Sequence, residues 1–159
     1  MAVPLSEIDI VIRLVLSFFA GAIIGLERSS RKQVAGLRTH TLICLGASCL
    51  MLLSIWMPQQ MGGGDPGRIA AQVVAGMGFL GAGAIIKLGN NIRGLTTAAS
   101  LWLTAAIGLT IGAGMYIAAG IVVALALITL ILLHFLEQKI FPEDNWKKEK
   151  SAPQDTQEN

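Results

Sequence analysis

Apolar and polar positions divide the chain into five long apolar runs joined by short polar loops. The runs cover residues 8–26, 39–56, 69–86, 95–112 and 115–136. Each approaches the roughly 20 apolar residues that a helix needs to cross about 30 Å of hydrocarbon, some narrowly. Only Gly112-Ala113-Gly114, a turn without charge, separates the last two runs. Read as one helix, residues 95–136 would be about 60 Å long, twice the bilayer, so the pattern predicts two. The expected fold is all-α: a polytopic membrane bundle of five transmembrane helices.

Composition supports that class. The chain is 53% hydrophobic and 14% charged, against about 25% charged in an ordinary soluble domain. From residue 41 to residue 136 the only Asp, Glu, Lys or Arg side chains are Asp65, Arg68, Lys87 and Arg93. A soluble surface needs charge throughout. Lys and Arg also alternate between loops. Arg28, Arg31, Lys32 and Arg38 lie in or beside the first loop, Arg68 alone in the second, Lys87 and Arg93 in the third, none in the fourth. Cytoplasmic loops carry the excess of such charge, so the N-terminus is expected outside and the C-terminus in the cytoplasm. The opening MAVPLSEIDI has no basic region ahead of its apolar run, so that run is expected to be retained rather than cleaved. Residues 1–140 read as one transmembrane domain. Residues 141–159 read as a short polar cytoplasmic tail, expected to be disordered.

Small residues mark where helices are expected to meet, because they let backbones approach closely. Ser17, Gly21 and Gly25 are four apart on the first helix. The third carries Gly76, Gly78, Gly81 and Gly83, and the fourth carries Gly108 and Gly112. The first four helices are expected to form a tight bundle, with the third at its centre and the bulkier fifth at its edge. Asp9 with Arg13, and Glu27 with Arg31, are four apart and positioned to pair on a helix face. Cys44 and Cys49 lie too far apart along one helix for a disulfide.

A repeat is also visible. GAII occurs at residues 21–24 and again at 83–86. Each is followed by a basic loop and then by Gly36-Leu37-Arg38-Thr39 or Gly94-Leu95-Thr96-Thr97, whose threonines are natural helix N-caps. Two such hairpins would be related by a pseudo-twofold axis along the membrane normal. Their basic ends would then gather Glu27, Arg28, Arg38, Thr39, Arg93 and Thr96. That cluster is the candidate polar switch or anion site. The competing reading is that its arginines only obey the charge rule for cytoplasmic loops.

Three segments, GAIIGLERSSRKQVAGLRTHTL, DPGRIAAQVVAGMGFLGAGAII and NIRGLTTAASLW, resemble the MgtC/SapB family of bacterial inner-membrane proteins. The resemblance covers roughly residues 21–116. It implies a role in growth under magnesium limitation and, in pathogens, in virulence. It also implies regulation of other membrane proteins, such as the F-type ATP synthase or magnesium transporters. Longer members carry a cytosolic C-terminal domain, whereas a short polar tail follows the last apolar run here. Thr96 stands in a motif position where some members have Asn.

Candidate chemistry is sparse. No Ser/His/Asp set is evident, and His40 with Cys44 supplies only two ligands, too few for zinc. The glycine run lacks the strand context of a nucleotide loop. No enzyme activity, cofactor, metal or nucleic-acid partner is expected. An ion path usually shows intramembrane acids, and no Asp or Glu falls in the middle of any run. Backbone carbonyls can substitute, so transport of magnesium or another ion stands as the alternative. The expectation is a non-enzymatic regulator in the lipid bilayer, acting by helix contact with itself or with another membrane protein.

Overall fold

The computed structural model describes residues 5–89 and 91–140, and the tail expectation falls outside them. The chain is mostly helical. Helix α1 spans Glu7–Ser30 and α2 spans Leu37–Gln60, 24 residues each. At 1.5 Å per residue each is about 36 Å long, enough to cross a bilayer. Helix α3 spans Arg68–Gly83 and α4 spans Leu95–Gly112. Helix α5, Tyr116–Ile128, continues through a π-helical turn at Thr129–Leu133 into α6, His134–Ile140. Four helices are long and apolar enough to cross a membrane: α1, α2, α4 and the rod from Tyr116 to Glu137. This is a multi-pass membrane protein.

Local chemistry explains the boundaries. Ser6 caps α1 in a reciprocal box: the Asp9 amide donates to Ser6 Oγ at 3.1 Å, and the Ser6 amide donates to the Asp9 carboxylate at 3.3 Å. The expected Asp9–Arg13 pair does not form. Arg13 reaches across to α4 instead, and its Nη1 donates to the Gly112 carbonyl at 2.7 Å. That cation satisfies an open carbonyl at a helix C-terminus, where the helix dipole favours positive charge.

The threonine caps expected from the sequence are also absent. The N-cap positions are Gly36 and Gly94, neither with a side-chain cap, and Thr39, Thr96 and Thr97 lie inside the first turns. Ser29 of α1 takes over at α2, accepting the Leu37 amide at 2.7 Å. Gly94 has φ +90, and a Cβ there would strike the Ala84 carbonyl. Such an entry is open to glycine and not to threonine.

The loop before Gly94 holds structure that the apolar pattern does not announce. Ile86–Leu88 (β1) pairs antiparallel with Asn91–Arg93 (β2), in register Ile86↔Arg93 and Leu88↔Asn91. Gly89 turns the hairpin at φ +58. The third apolar run therefore leaves the helix at Gly83, and Ile86 belongs to a strand.

Helix α4 is the most buried, and α1, α2, α3 and α5 all pack on it. Helices α2 and α4 run parallel: His40 lies by Ser100, Cys44 by Gly108 and Ser48 by Gly112. Close approach is made by glycine. A Cβ at Gly21 would lie 2.7 Å from the His40 carbonyl oxygen, and one at Gly25 would lie 2.7 Å from Leu37 Cα. One at Gly108 would strike the Cys44 carbonyl. Buried hydroxyls along these seams turn back on their own helices. Ser17 donates to the Arg13 carbonyl, Thr41 to Leu37 and Thr104 to Ser100, at 2.7–2.8 Å.

Helix α3 departs from its expected place at the centre. Met77 is its one buried residue among those described. Beside Gly76, Gly78 and Gly83 a Cβ would meet nothing within 4 Å, and beside Gly81 only Ala98 at ordinary contact distance. Helix α3 docks on α4 through Val73 and Met77, which leaves these glycines on its other side.

Candidate functional site

The charged end of the bundle is formed by the end of α1, the starts of α2 and α4, and α6. On α1, Ser17, Gly21, Ile24 and Arg28 fall on the buried stripe facing the other helices. Arg28 is thus carried inside by the helical period and is 3% exposed. A buried guanidinium needs a counter-charge, and Glu27 supplies it. One Glu27 oxygen lies 2.5 Å from Arg28 Nε, and the other lies 2.5 Å from Arg31 Nε. One carboxylate thus bridges two guanidiniums, and the expected Glu27–Arg31 pair is present.

Arg28 and Arg31 line a cavity of about 310 Å³ together with Thr96 of α4 and Thr129, His134 and Glu137 of the α5–α6 rod. A second, apolar space of about 290 Å³ adjoins it between α1, α4 and α5, walled by Ile24, Leu103, Val122 and Leu125. Thr96, Thr129 and Leu130 line both.

Of the six residues in the sequence-derived cluster, Glu27, Arg28 and Thr96 meet at or beside this cavity. Arg38 and Thr39 are exposed on the first turn of α2, and Arg93 is exposed at the end of β2. The structure therefore gathers half of the cluster. It adds Arg31, His134 and Glu137, which the sequence reading left out. Arg31 and Glu137 stand three or four residues from buried or lining positions on their own helices. A helical-period reading of that kind could have found them.

A second polar feature is His40, fully buried between α2 and α4. Its Nδ1 lies 3.0 Å from the Gly36 carbonyl, and its Nε2 lies 3.1 Å from Ser100 Oγ. A carbonyl only accepts, so Nδ1 carries a hydrogen. Ser100 Oγ also lies 2.8 Å from the Thr97 carbonyl. With a neutral ring, the single Ser100 hydrogen is shared between Nε2 and that carbonyl. Both ring nitrogens are thereby engaged, which sets His40 apart from any ligand role with Cys44. Among the described residues, no three His, Cys, Asp or Glu side chains gather in a way that could hold a metal ion. The arrangement is suited to holding an anionic group beside an apolar chain.

Comparison with known proteins places these features in context. The model of the MgtC family matches residues 14–139. The protein MgtC of Salmonella typhimurium is 47% identical over 95 residues, which are 60% of this chain and 39% of that protein. A protein of Escherichia coli K12 named "Putative magnesium transporter YhiD" is 48% identical over 102 residues, 61% of this chain and 47% of that protein. The protein MgtC of Brucella abortus is 49% identical over 89 residues, 56% of this chain and 36% of that protein. The chain thus spans less than half the length of these relatives. No solved structure matches it.

Proposed function

Because this chain belongs to the MgtC family, we propose that it is a non-enzymatic regulator of the bacterial inner membrane that serves magnesium homeostasis or growth at low magnesium. In this reading it acts by helix contact with itself or with another membrane protein, such as an ATP synthase or a magnesium transporter. The observation that carries the proposal is the outward face of α3. It is apolar and glycine-rich, and it is packed on one side only. Small residues at an open helix face let a second helix approach closely within lipid.

The same reading takes α3 as a fifth crossing, with the N-terminus outside and the C-terminus in the cytoplasm. The parallel run of α2 and α4 supports this: α2 ends at one end of the bundle and α4 begins at the other, so α3 must traverse it. Seven Lys and Arg (Arg28, Arg31, Lys32, Arg38, Lys87, Arg93, Lys139) stand at one end, against Arg13 and Arg68 at the other. That asymmetry supports a cytoplasmic placement of the richer end. The hairpins α1–α2 and α3–α4 are read as two copies of one unit, the second diverged in its loop.

The name of the Escherichia coli relative favours a second reading, transport of magnesium. The absence of Asp and Glu from the middle of the apolar runs weighs against it. Two measurements test the proposal. Cysteine crosslinking from Phe79, 83% exposed on α3, should capture a second copy or a membrane partner. Magnesium flux into proteoliposomes should not rise above that of empty vesicles. Flux that depends on the protein, with no crosslinked product, would establish the transporter reading instead. For topology, a cysteine placed at position 90 should label from the cytoplasmic side.

A further inference from the structure

The two adjoining cavities differ in chemistry along the bundle axis. The charged lining residues sit nearest one end and the large apolar ones deepest: Ile24 lies before Arg28 on α1, Leu103 after Thr96 on α4, and Val122 and Leu125 before Glu137 on the rod, with Ser100, Thr129, Leu130 and Leu133 between. The combined space is polar at headgroup depth and apolar beneath it. We propose that it seats one aminophospholipid. The phosphate rests on Arg28 and Arg31, the ammonium lies beside Glu137, and an acyl chain runs along Ile24, Leu103 and Val122.

Three observations carry this. The first is donor arithmetic. Two guanidiniums offer about ten N–H donors, while one carboxylate accepts about four. Glu27 is the acid that both arginines touch, its closest contact in each case being with Nε. Buried Arg28 therefore faces the cavity with donors to spare, and a phosphate takes such donors well. The second is charge balance. Arg28 and Arg31 are matched by Glu27 and Glu137, with His134 also on the wall. A bare anion would upset that balance, whereas a zwitterion places an opposite charge against each group. The third is the wall itself. The π-helical turn at Thr129–Leu133 lies where the two spaces join, and such turns recur at functional sites. Basic pockets between membrane helices are an established setting for lipid headgroups.

The inference rests on the reading that this end lies at headgroup depth, which position-90 labelling tests on its own. To test the site, the full chain is placed in nanodiscs of equal phosphatidylethanolamine, phosphatidylglycerol and phosphatidylcholine, then extracted. Native mass spectrometry counts the retained lipids. Phosphatidylethanolamine should be retained above the other two, and millimolar inorganic phosphate should not displace it. Arg31→Gln keeps the Glu27–Arg28 pair intact. It should weaken retention about tenfold, the scale of one lost charge-assisted hydrogen bond. Glu137→Gln should shift preference toward phosphatidylglycerol. Val122→Trp fills the apolar half and should lower retention of all three. Circular dichroism and gel filtration confirm that each variant is folded. Equal retention of the three lipids by the parent protein overturns the proposal. So does unchanged retention in folded Arg31→Gln and Val122→Trp, and so does displacement by inorganic phosphate, which would indicate a site for free anions.

Discussion

Gly21 and Gly76 look alike in sequence and answer different demands. Gly21 lets α1 touch the backbone of α2, and an added Cβ would lie 2.7 Å from a carbonyl oxygen that cannot move without its helix. Gly21→Ala should therefore destabilise the fold by about 1–3 kcal/mol, the range for overpacking a tight core. Gly76→Ala should change it by no more than about 0.5 kcal/mol, as at an open position. Unfolding of both variants by SDS in mixed micelles provides the comparison. His40 makes a second case. Removing its ring deletes two hydrogen bonds and leaves a cavity between α2 and α4, while the Gly36 carbonyl keeps the residue-40 amide and Ser100 keeps the Thr97 carbonyl, so His40→Ala should cost about 1–3 kcal/mol by the same measurement. The family-like motif containing His40 was legible in the sequence, but the ring's partners were not. They depend on α2 and α4 running parallel, and no local pattern encodes that.

At the scale of single elements, the apolar pattern locates structure where bulk chemistry decides and misplaces it where a few backbone atoms decide. Lipid-soluble composition located α1, α2, α4 and the α5–α6 rod within a few residues. The hairpin β1–β2 escaped notice because three-residue strands have no periodicity to detect, and its signal was only Gly89 followed by a polar residue. The caps at α2 and α4 were misplaced because glycine can enter a helix at angles that a threonine cannot. The consequence is testable at Gly94. Its φ of +90 and its contact with the Ala84 carbonyl leave no room for a side chain. Gly94→Ala should open the hairpin and speed hydrogen exchange in the first turn of α4, with the far turn of α4 unaffected. Uniform acceleration along α4 would contradict this local account.

For the whole molecule, membrane class is legible because the scarcity of charge between residues 41 and 136 is a property of the entire segment. The position of α3 was not readable. Composition says that a helix tolerates close neighbours, and it does not say whether the neighbour belongs to the same chain. The polar site was legible in part for the same reason. Glu27, Arg28 and Thr96 converge because their helices do, while Arg38 and Arg93 are exposed and do not line the cavity that only the packed bundle creates. If the open face of α3 meets a second copy, Gly76→Leu should reduce crosslinking from Phe79 and leave the stability of the single chain near its original value. Loss of both together would place Gly76 inside the fold and count against that surface.

The shortness of α3 has a consequence for the surrounding bilayer. Sixteen residues make a helix of about 24 Å, several ångströms less than a typical hydrocarbon layer. If α3 crosses the bilayer as proposed, lipids along that side must compress their chains to match it, at a fraction of a kcal/mol for each ångström. Two copies joined along α3 would remove much of that strained rim. Thicker bilayers should therefore favour the paired form and thinner ones the single chain, which makes membrane thickness a control on assembly that needs no soluble signal.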